Sequence, residues 1–428
     1  MTPRVAIIGG GWAGCAAGFS LAEAGIAVTL FEAGSTLGGR ARGLELNGLE
    51  LDNGQHLLLG AYRQTTLLIA AVNAEEGTQY VPLLRLPLAL DQPPNFSLSC
   101  PPLPAPLHLL AGLLTARGIS LLDKLAAARW MRVKLRQPLI DDISVAQLIA
   151  LQPESIRAAL WEPLCIAALN TPIAHASAKI YMQVLHAVFA HAREDSDLLF
   201  PRQDLTRLFP EPAAKRMVAL GSQVHLHTRV FSMNYHADQF TLITQRDSFT
   251  FDRVIVAVAP QHLAKLGHAI PELHNIMAAV ETYHYEAIAT LYVQYPSEVR
   301  LARPMLALSE GPAQFVFDRG QTHGQWGLLA LVVSAASGLI GQSQAEWIGK
   351  ALQQLSRIQA LPDLIWQKAI VEKQATYSCR PNLARPDNHT PHPGLFLAGD
   401  YTVGPYPATL ESATQSGVKS AHLVMNSL

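Results

Sequence analysis

The sequence predicts an α/β protein in which a Rossmann-like nucleotide-binding domain, assembled from separated pieces of chain, is joined to a second, α+β domain. Three observations predict it. The chain opens on an apolar run broken by Gly9, Gly11 and Gly14; a glycine pair follows at Gly38 and Gly39; and Gly399 with Asp400 introduces a last helix. With 428 residues the chain exceeds one simple core, and an apolar share of 49% argues against extensive disorder.

The first element, "RVAIIGG", reads as a buried strand, and "WAGCAAGFSLAEAG" as a helix ending at Gly25. An Arg followed by an Ala- and Gly-rich apolar run also resembles a secretory signal. The spacing decides between the two. Gly9, Gly11 and Gly14 form G-x-G-x-x-G between strand and helix, and "IAVTLFEA" supplies a second strand closing on Glu32. That carboxylate stands near the separation of about 20 residues expected for an acid that hydrogen-bonds an adenosine ribose. Gly9 allows the tight turn, Gly11 lets backbone N–H groups approach a pyrophosphate, and Gly14 lets helix and strand pack closely. The positive end of the helix favours the phosphate charge. A signal peptide needs none of this.

In "AGSTLGGRARG", Gly38, Gly39 and Arg40 can wrap the pyrophosphate from its other side, with the guanidinium offering paired donors. Nicotinamide dehydrogenases do not need this element, so the spacing favours FAD. At the far end, "GLFLAGDYTVGPYPATLESATQSGVKSAHLV" reads as strand, loop and helix. Asp400 is placed for ribityl or ribose hydroxyls, and the helix beginning near Ala408–Thr409 aims its positive end at the flavin pyrimidine edge.

Other classes recede. The chain carries 32 basic and 33 acidic residues, which gives no reason to expect nucleic acid. Its four cysteines lie far apart, without metal-ligand spacing, and reduced thiols are expected. Among 16 histidines there is no H-E-x-x-H, and His225 and His227 read as alternate residues of a strand, so no metal is expected. No apolar run is long enough to span a bilayer.

Several stretches carry a resemblance: "LDNGQHLLLGAYRQT" (51–65), "PLPAPLHLL" (102–110), "LWEPLCIAALNTPIAHASA" (160–178), "DLLFPRQDLTRLFPEPA" (197–213) and "AGDYTVGPYPATLESATQSG" (398–417). The chain resembles the flavin amine oxidase and carotenoid desaturase superfamily, and within it the hydroxysqualene dehydroxylases of bacterial hopanoid synthesis. The glycine motifs are widely shared, whereas "WEPLCIAALNTP" and "PYPATLESA" are more specific. The resemblance implies an amine oxidase-like two-domain architecture, FAD, and removal of the hydroxyl of hydroxysqualene to give squalene. It assigns dinucleotide contacts to Gly9, Gly11, Ala13, Gly14, Glu32, Ala33, Gly39 and Arg40. It assigns an adenine contact to Val230, flavin contacts to Gly399, Asp400, Thr409 and Leu410, and a path beside the isoalloxazine to Gly54, Gln55 and His56. His56, Asn170, Thr290, Tyr406 and Pro407 are the candidate substrate contacts.

The superfamily's FAD domain is discontinuous, which implies FAD-domain pieces at 1–80, 205–265 and 375–428. Segments 81–204 and 266–374 are then the substrate domain, built from helices and a mostly antiparallel sheet. "FDRVIVAVAP" (251–260) is the strand expected to return to the nucleotide fold.

The implied substrate is a long hydrocarbon with one allylic hydroxyl. Its chemistry needs a proton for the departing oxygen, apolar walls around a transient allylic cation, and a hydride from reduced flavin. His56 is the candidate proton donor, because its ordinary pKa lies near neutrality; alternatively it orients the flavin or satisfies a backbone carbonyl. Many amine oxidases carry a lysine near flavin N5, and a rough alignment of "EAIATLYVQY" puts Thr290 there. An amine oxidase would show that lysine and an aromatic cage, of which Tyr401 and Tyr406 imitate only a part. A carotenoid-type desaturase remains open, as redox direction is not written in the residues. A non-catalytic lipid carrier would tolerate eroded glycine motifs, and these are intact. No second glycine loop for NADPH is evident, so the electron donor is unidentified.

Between 102 and 140, Leu-rich segments are followed by Arg117, Lys124, Arg129, Arg132, Lys134 and Arg136. The pattern suits helices lying in a membrane interface, with the leucines and Trp130 in the acyl boundary and the cations on anionic headgroups. The alternative is a pair of core helices with a solvated basic face. An isoprenoid substrate favours the first, a cytoplasmic protein held peripherally on the inner face of the membrane.

Overall fold

The computed structural model describes residues 3–74, 82–137, 139–339, 341 and 343–428. The domain boundary expected at 80/81 lies outside the described residues.

Three separated stretches of chain build one parallel sheet. Its five strands run in the order Gln223–His225, Val28–Phe31, Val5–Ile8, Arg253–Val256 and Leu395–Leu397. Val5 pairs with Val28 on one side and with Arg253 on the other, all in parallel register. The central strand Val5–Ile8 is fully buried, and its neighbour Arg253–Val256 is buried beyond its first residue, as expected for apolar runs covered on both faces. "FDRVIVAVAP" thus joins this sheet beside the first strand. Only His225 belongs to a strand; His227 leaves it in the left-handed region (φ 52°), so the two histidines do not alternate on one sheet.

The first helix, Trp12–Glu23, and the C-terminal helix, Leu410–Asn426, pack together on this sheet. Gly417 makes the approach possible, since a Cβ there would overlap the Ala13 carbonyl oxygen. Both helices therefore begin at the same end of the sheet.

A second five-stranded sheet is antiparallel, in the order Met305–Ala307, Phe315–Asp318, Leu328–Val333, Tyr285–Gln294 and Trp366–Tyr377. A short three-stranded sheet, Leu58–Leu59, Leu198–Pro201 and Leu83–Leu86, lies between it and the helices.

The basic segment forms two helices, Leu107–Thr115 and Leu121–Lys134, in contact with each other. Leu107, Leu110 and Leu114 recur at helical spacing on the outer face and are exposed, as are Leu121, Leu122 and Leu125. Two expectations need correction. Trp130 turns inward, its ring 4.8 Å from that of Trp161, because the core offers an aromatic partner. Lys124 is buried, its ammonium capping the Leu114 carbonyl at 3.0 Å, so it is no free surface cation. Among the described residues, no helix is long and apolar enough to cross a membrane.

Candidate functional site

One cavity of about 1130 Å³ runs from the glycine loops into the helical region. Gly9 (φ 111°) makes the turn after the first strand, and a Cβ there would stand 2.6 Å from the Ala257 oxygen. A Cβ at Gly14 would overlap the Gly9 oxygen, so this glycine sets the closeness of helix and loop behind the wall. At Gly11 a Cβ would meet nothing within 4 Å, and Gly11 lines the cavity. Open space at that glycine is what a backbone-held ligand requires.

The second glycine pair is bonded directly to the first: the Gly38 N–H donates to the Gly10 carbonyl at 2.9 Å. Glu32 fixes both loops, accepting from the N–H of Gly10 and of Gly34 at 2.7 Å each. It lines the cavity with Ala13, Ala33 and Gly39. Thr409 caps the C-terminal helix through a bond from the Ser412 N–H, and Ala408, Thr409 and Leu410 form part of the wall. The acid in that helix's first turn, Glu411, faces away, accepting from the N–H groups of Gln64 and Thr65. Two helix N-termini, with unpaired N–H groups and positive dipole ends, thus open on one cavity.

Arg40 departs from the expected arrangement. Its guanidinium donates to Asp400 at 2.6 Å and to the Ala375 carbonyl at 3.0 Å, so its paired donors face a carboxylate and the backbone instead of open space. The half-buried cation is drawn to the nearest anion, which brings together two wall residues from opposite ends of the chain. Val230 and Gly399 also line the wall. Reasoning from sequence missed Ala257–Ala259, although a loop leaving the carboxyl end of a parallel strand is where such ligands bind. It also missed Arg42, which clamps the Gly39 carbonyl at 2.6 Å.

Beyond the loops lies the segment Asn53–His56. Asn53 accepts from the Arg42 N–H and donates to the Arg40 carbonyl, tying this segment to the second glycine loop. Gly54, Gln55 and His56 all line the cavity. His56 Nδ1 is 2.6 Å from the Gly54 carbonyl, which fixes that nitrogen as the donor in the neutral ring and leaves Nε2 a lone pair. Burial lowers the His56 pKa below its usual value, and the bond to Gly54 opposes that only in part.

The wall beyond His56 is mostly apolar, with Leu58, Leu113, Trp161, Leu164, Val188, Phe189 and Phe315 among its members. Asn170 lines it, but both ends of its amide are engaged: Oδ1 accepts from the Ala335 N–H at 2.6 Å and Nδ2 donates to Thr376 at 2.9 Å. Three other expected substrate contacts stand outside the wall. Thr290 is wholly buried and accepts from the Gln55 N–H at 3.2 Å. Tyr406 donates to the Ala61 carbonyl at 3.1 Å and packs edge-on to Tyr62. Pro407, buried beside it, shares that bracing position.

A family model described as flavin containing amine oxidoreductase matches residues 12–425. The chain is 25% identical to the hydroxysqualene dehydroxylase of Sinorhizobium fredii, covering 100% of this chain and 99% of that protein. It is 23% identical to a 15-cis-phytoene desaturase of an Oncidium hybrid cultivar, covering 99% of this chain and 78% of that one. Putrescine oxidase bound to putrescine superposes with a TM-score of 0.73 at 17% identity, over 100% of this chain and 99% of that one. Cyclohexylamine oxidase from Brevibacterium oxydans gives 0.70 at 16% identity, over 100% and 99%. At such identities the structural likeness speaks for the fold alone. FAD is the cofactor of this family, and the observed cradle fits it: two glycine-bearing loops and two helix N-termini open on one cavity of about 1130 Å³.

Proposed function

The chain belongs to the flavin containing amine oxidoreductase family and is an FAD-dependent oxidoreductase, and on that premise we propose that it reductively removes the hydroxyl of hydroxysqualene to give squalene. One observation carries the reading: the cavity continues past His56 into a chamber walled by leucine, valine and aromatic side chains, where the few polar groups are largely bonded to each other. Such a chamber suits a long hydrocarbon better than a small charged amine. The names of the curated relatives, hydroxysqualene dehydroxylase and phytoene desaturase, point to the same substrate class.

Reduced FAD supplies the hydride when bound; its holders are Gly11, Glu32, Gly39, Val230, Asp400 and the Thr409–Leu410 turn. The apolar wall keeps water away from the carbon that loses oxygen. His56 Nε2 accepts a hydrogen bond from the substrate hydroxyl and so orients the C–O bond. Once protonated, the same nitrogen hands its proton to the departing oxygen. Because burial lowers its pKa, the acid form grows only as pH falls, so turnover declines as pH rises through a value below the ordinary 6.5. His56→Ala keeps FAD but loses roughly 10²–10⁴-fold in turnover and loses this pH dependence.

The domain pieces stated above are retained as the proposed division, with the electron donor external. The exposed leucines of 107–125, flanked by the exposed Arg117, Arg129, Arg132 and Arg136, are proposed to rest on anionic lipid at the inner face of the cytoplasmic membrane. Flotation with anionic liposomes tests this: wild type floats at low salt, and changing Arg129, Arg132 and Lys134 to Glu abolishes it. Protein that stays in the soluble fraction overturns the membrane reading.

The reaction is tested by anaerobic incubation of photoreduced holoprotein with hydroxysqualene. Squalene should form as the flavin is reoxidised. If the alcohol is recovered and the flavin stays reduced, the reading is wrong. If instead oxidised holoprotein desaturates phytoene, the desaturase reading replaces it.

A further inference from the structure

We propose that Arg319 is a positioning residue for this site: from behind the cavity wall it holds the Gln55 side chain and, through it, the His56 segment. The proposal rests on the reading that His56 faces the reacting atoms.

Arg319 begins the short helix Arg319–His323 that follows a strand of the antiparallel sheet, and none of its side chain is exposed. Nothing near it in sequence marks it as part of the site. Its fork is nevertheless directed at residues 50–55. Nη1 donates to Gln55 Oε1 at 2.7 Å and lies 3.6 Å from Asp52 Oδ2. Nη2 donates to the Glu50 carbonyl at 3.1 Å, and Nε donates to Gln325 Oε1 at 2.6 Å. Gln325 itself donates to the same Glu50 carbonyl at 2.7 Å. The guanidinium lies over the Tyr292 ring, and the Tyr292 hydroxyl donates to the Asp52 carbonyl at 2.9 Å.

Burying an ion pair gives little net stability against well-packed apolar residues, so stability alone is a weak reason for this arrangement. Geometry is a better one. A guanidinium has no acceptor, so the face of the Gln55 amide turned to Arg319 must be its oxygen. The amide nitrogen is thereby forced to the other side, where it donates to the His56 carbonyl at 3.3 Å. The Thr290 hydroxyl accepts from the Gln55 N–H at 3.2 Å. Arg319 therefore fixes which way Gln55 presents itself in the cavity wall, and pins the carbonyl of His56 while Gly54 pins its ring. A lysine could keep the charge but could not hold Gln55, Glu50 and Gln325 together.

Histidine-specific ¹⁵N NMR on the holoprotein, without substrate, reads the consequence; the His56 signals are those lost in His56→Gln. In wild type the neutral ring carries its proton on Nδ1. In Arg319→Lys and in Gln55→Leu, which cuts the link on the cavity side, the two tautomers should mix and the titration midpoint should shift. Turnover should fall roughly 10–100-fold through kcat, with KM changing far less. Should Arg319→Lys fail to fold, Gln55→Leu decides. Folded variants whose His56 tautomer and midpoint match wild type overturn the proposal, whatever their melting temperatures. These spectra need no substrate, so they decide the role of Arg319 even if hydroxysqualene proves not to be turned over.

Discussion

At the glycine end of the cavity the wall is built on two loops bonded to each other and the first turns of two helices, with Gly9, Gly11, Gly38 and Gly39 presenting bare backbone. Beyond His56 the wall is side chain, brought together from helices near 109–131 and 160–189 and from the antiparallel sheet. The difference teaches where tolerance lies. A backbone wall fails when a Cβ intrudes, whereas a side-chain wall can change shape residue by residue but not polarity.

Substitutions can break this contrast. The largest effect is expected at Gly14. Gly14→Val drives a side chain into the Gly9 carbonyl and should destabilise the fold by about 3 kcal/mol or more, read as a fall in melting temperature. At Gly11 a Cβ meets nothing within 4 Å and points into the cavity, so Gly11→Leu should fold with a near-normal melting temperature yet carry no flavin absorbance. A Gly11→Leu protein that stays yellow would show that the cofactor lies elsewhere.

Next in size is Leu164→Arg in the apolar wall. A cation there is poorly solvated and occupies the place proposed for the hydrocarbon, so turnover should drop by about 100-fold or more while bound FAD is unchanged. Equal loss of flavin would mean that the two ends of the cavity are not separable. Glu32→Ala removes the acceptor of two loop N–H groups as well as the proposed ribose contact. FAD binding should weaken by roughly 1–3 kcal/mol, measured by flavin titration of apoprotein.

These contrasts also explain what could be read in advance. The glycine loops and Glu32 were legible because local spacing alone dictates a βαβ turn. Thr290 lies on the strand Tyr285–Gln294, on the face that also carries Ile288 of the cavity wall, but its hydroxyl is taken up by the Gln55 N–H at 3.2 Å, a partner with no local signal in sequence. Trp130 fits an outward helical face in sequence, and only the presence of Trp161 turns it inward. Arg319 had no local signal, because its partners lie at 50–55.

The smallest expected effect is on stability against pH. Burial, aided by the Arg319 charge, pushes the His323 pKa down to about 2. The unfolded chain takes up a proton near pH 6.5 that the folded chain refuses. Stability therefore falls as pH drops below about 6.5, by at most ~1.4 kcal/mol per pH unit from this residue. Melting temperatures at pH 7.5 and 5.5 should differ less in His323→Gln than in wild type; an unchanged difference would show that His323 does not contribute.

The most direct measurement of the central claim, one cavity holding FAD at one end and an isoprenoid at the other, is titration of oxidised holoprotein with squalene while the flavin absorption is recorded. Wild type should show a saturable change in the flavin band, and Leu164→Arg, still loaded with FAD, should show none. A wild-type spectrum indifferent to squalene, or an identical response in the variant, would contradict the account.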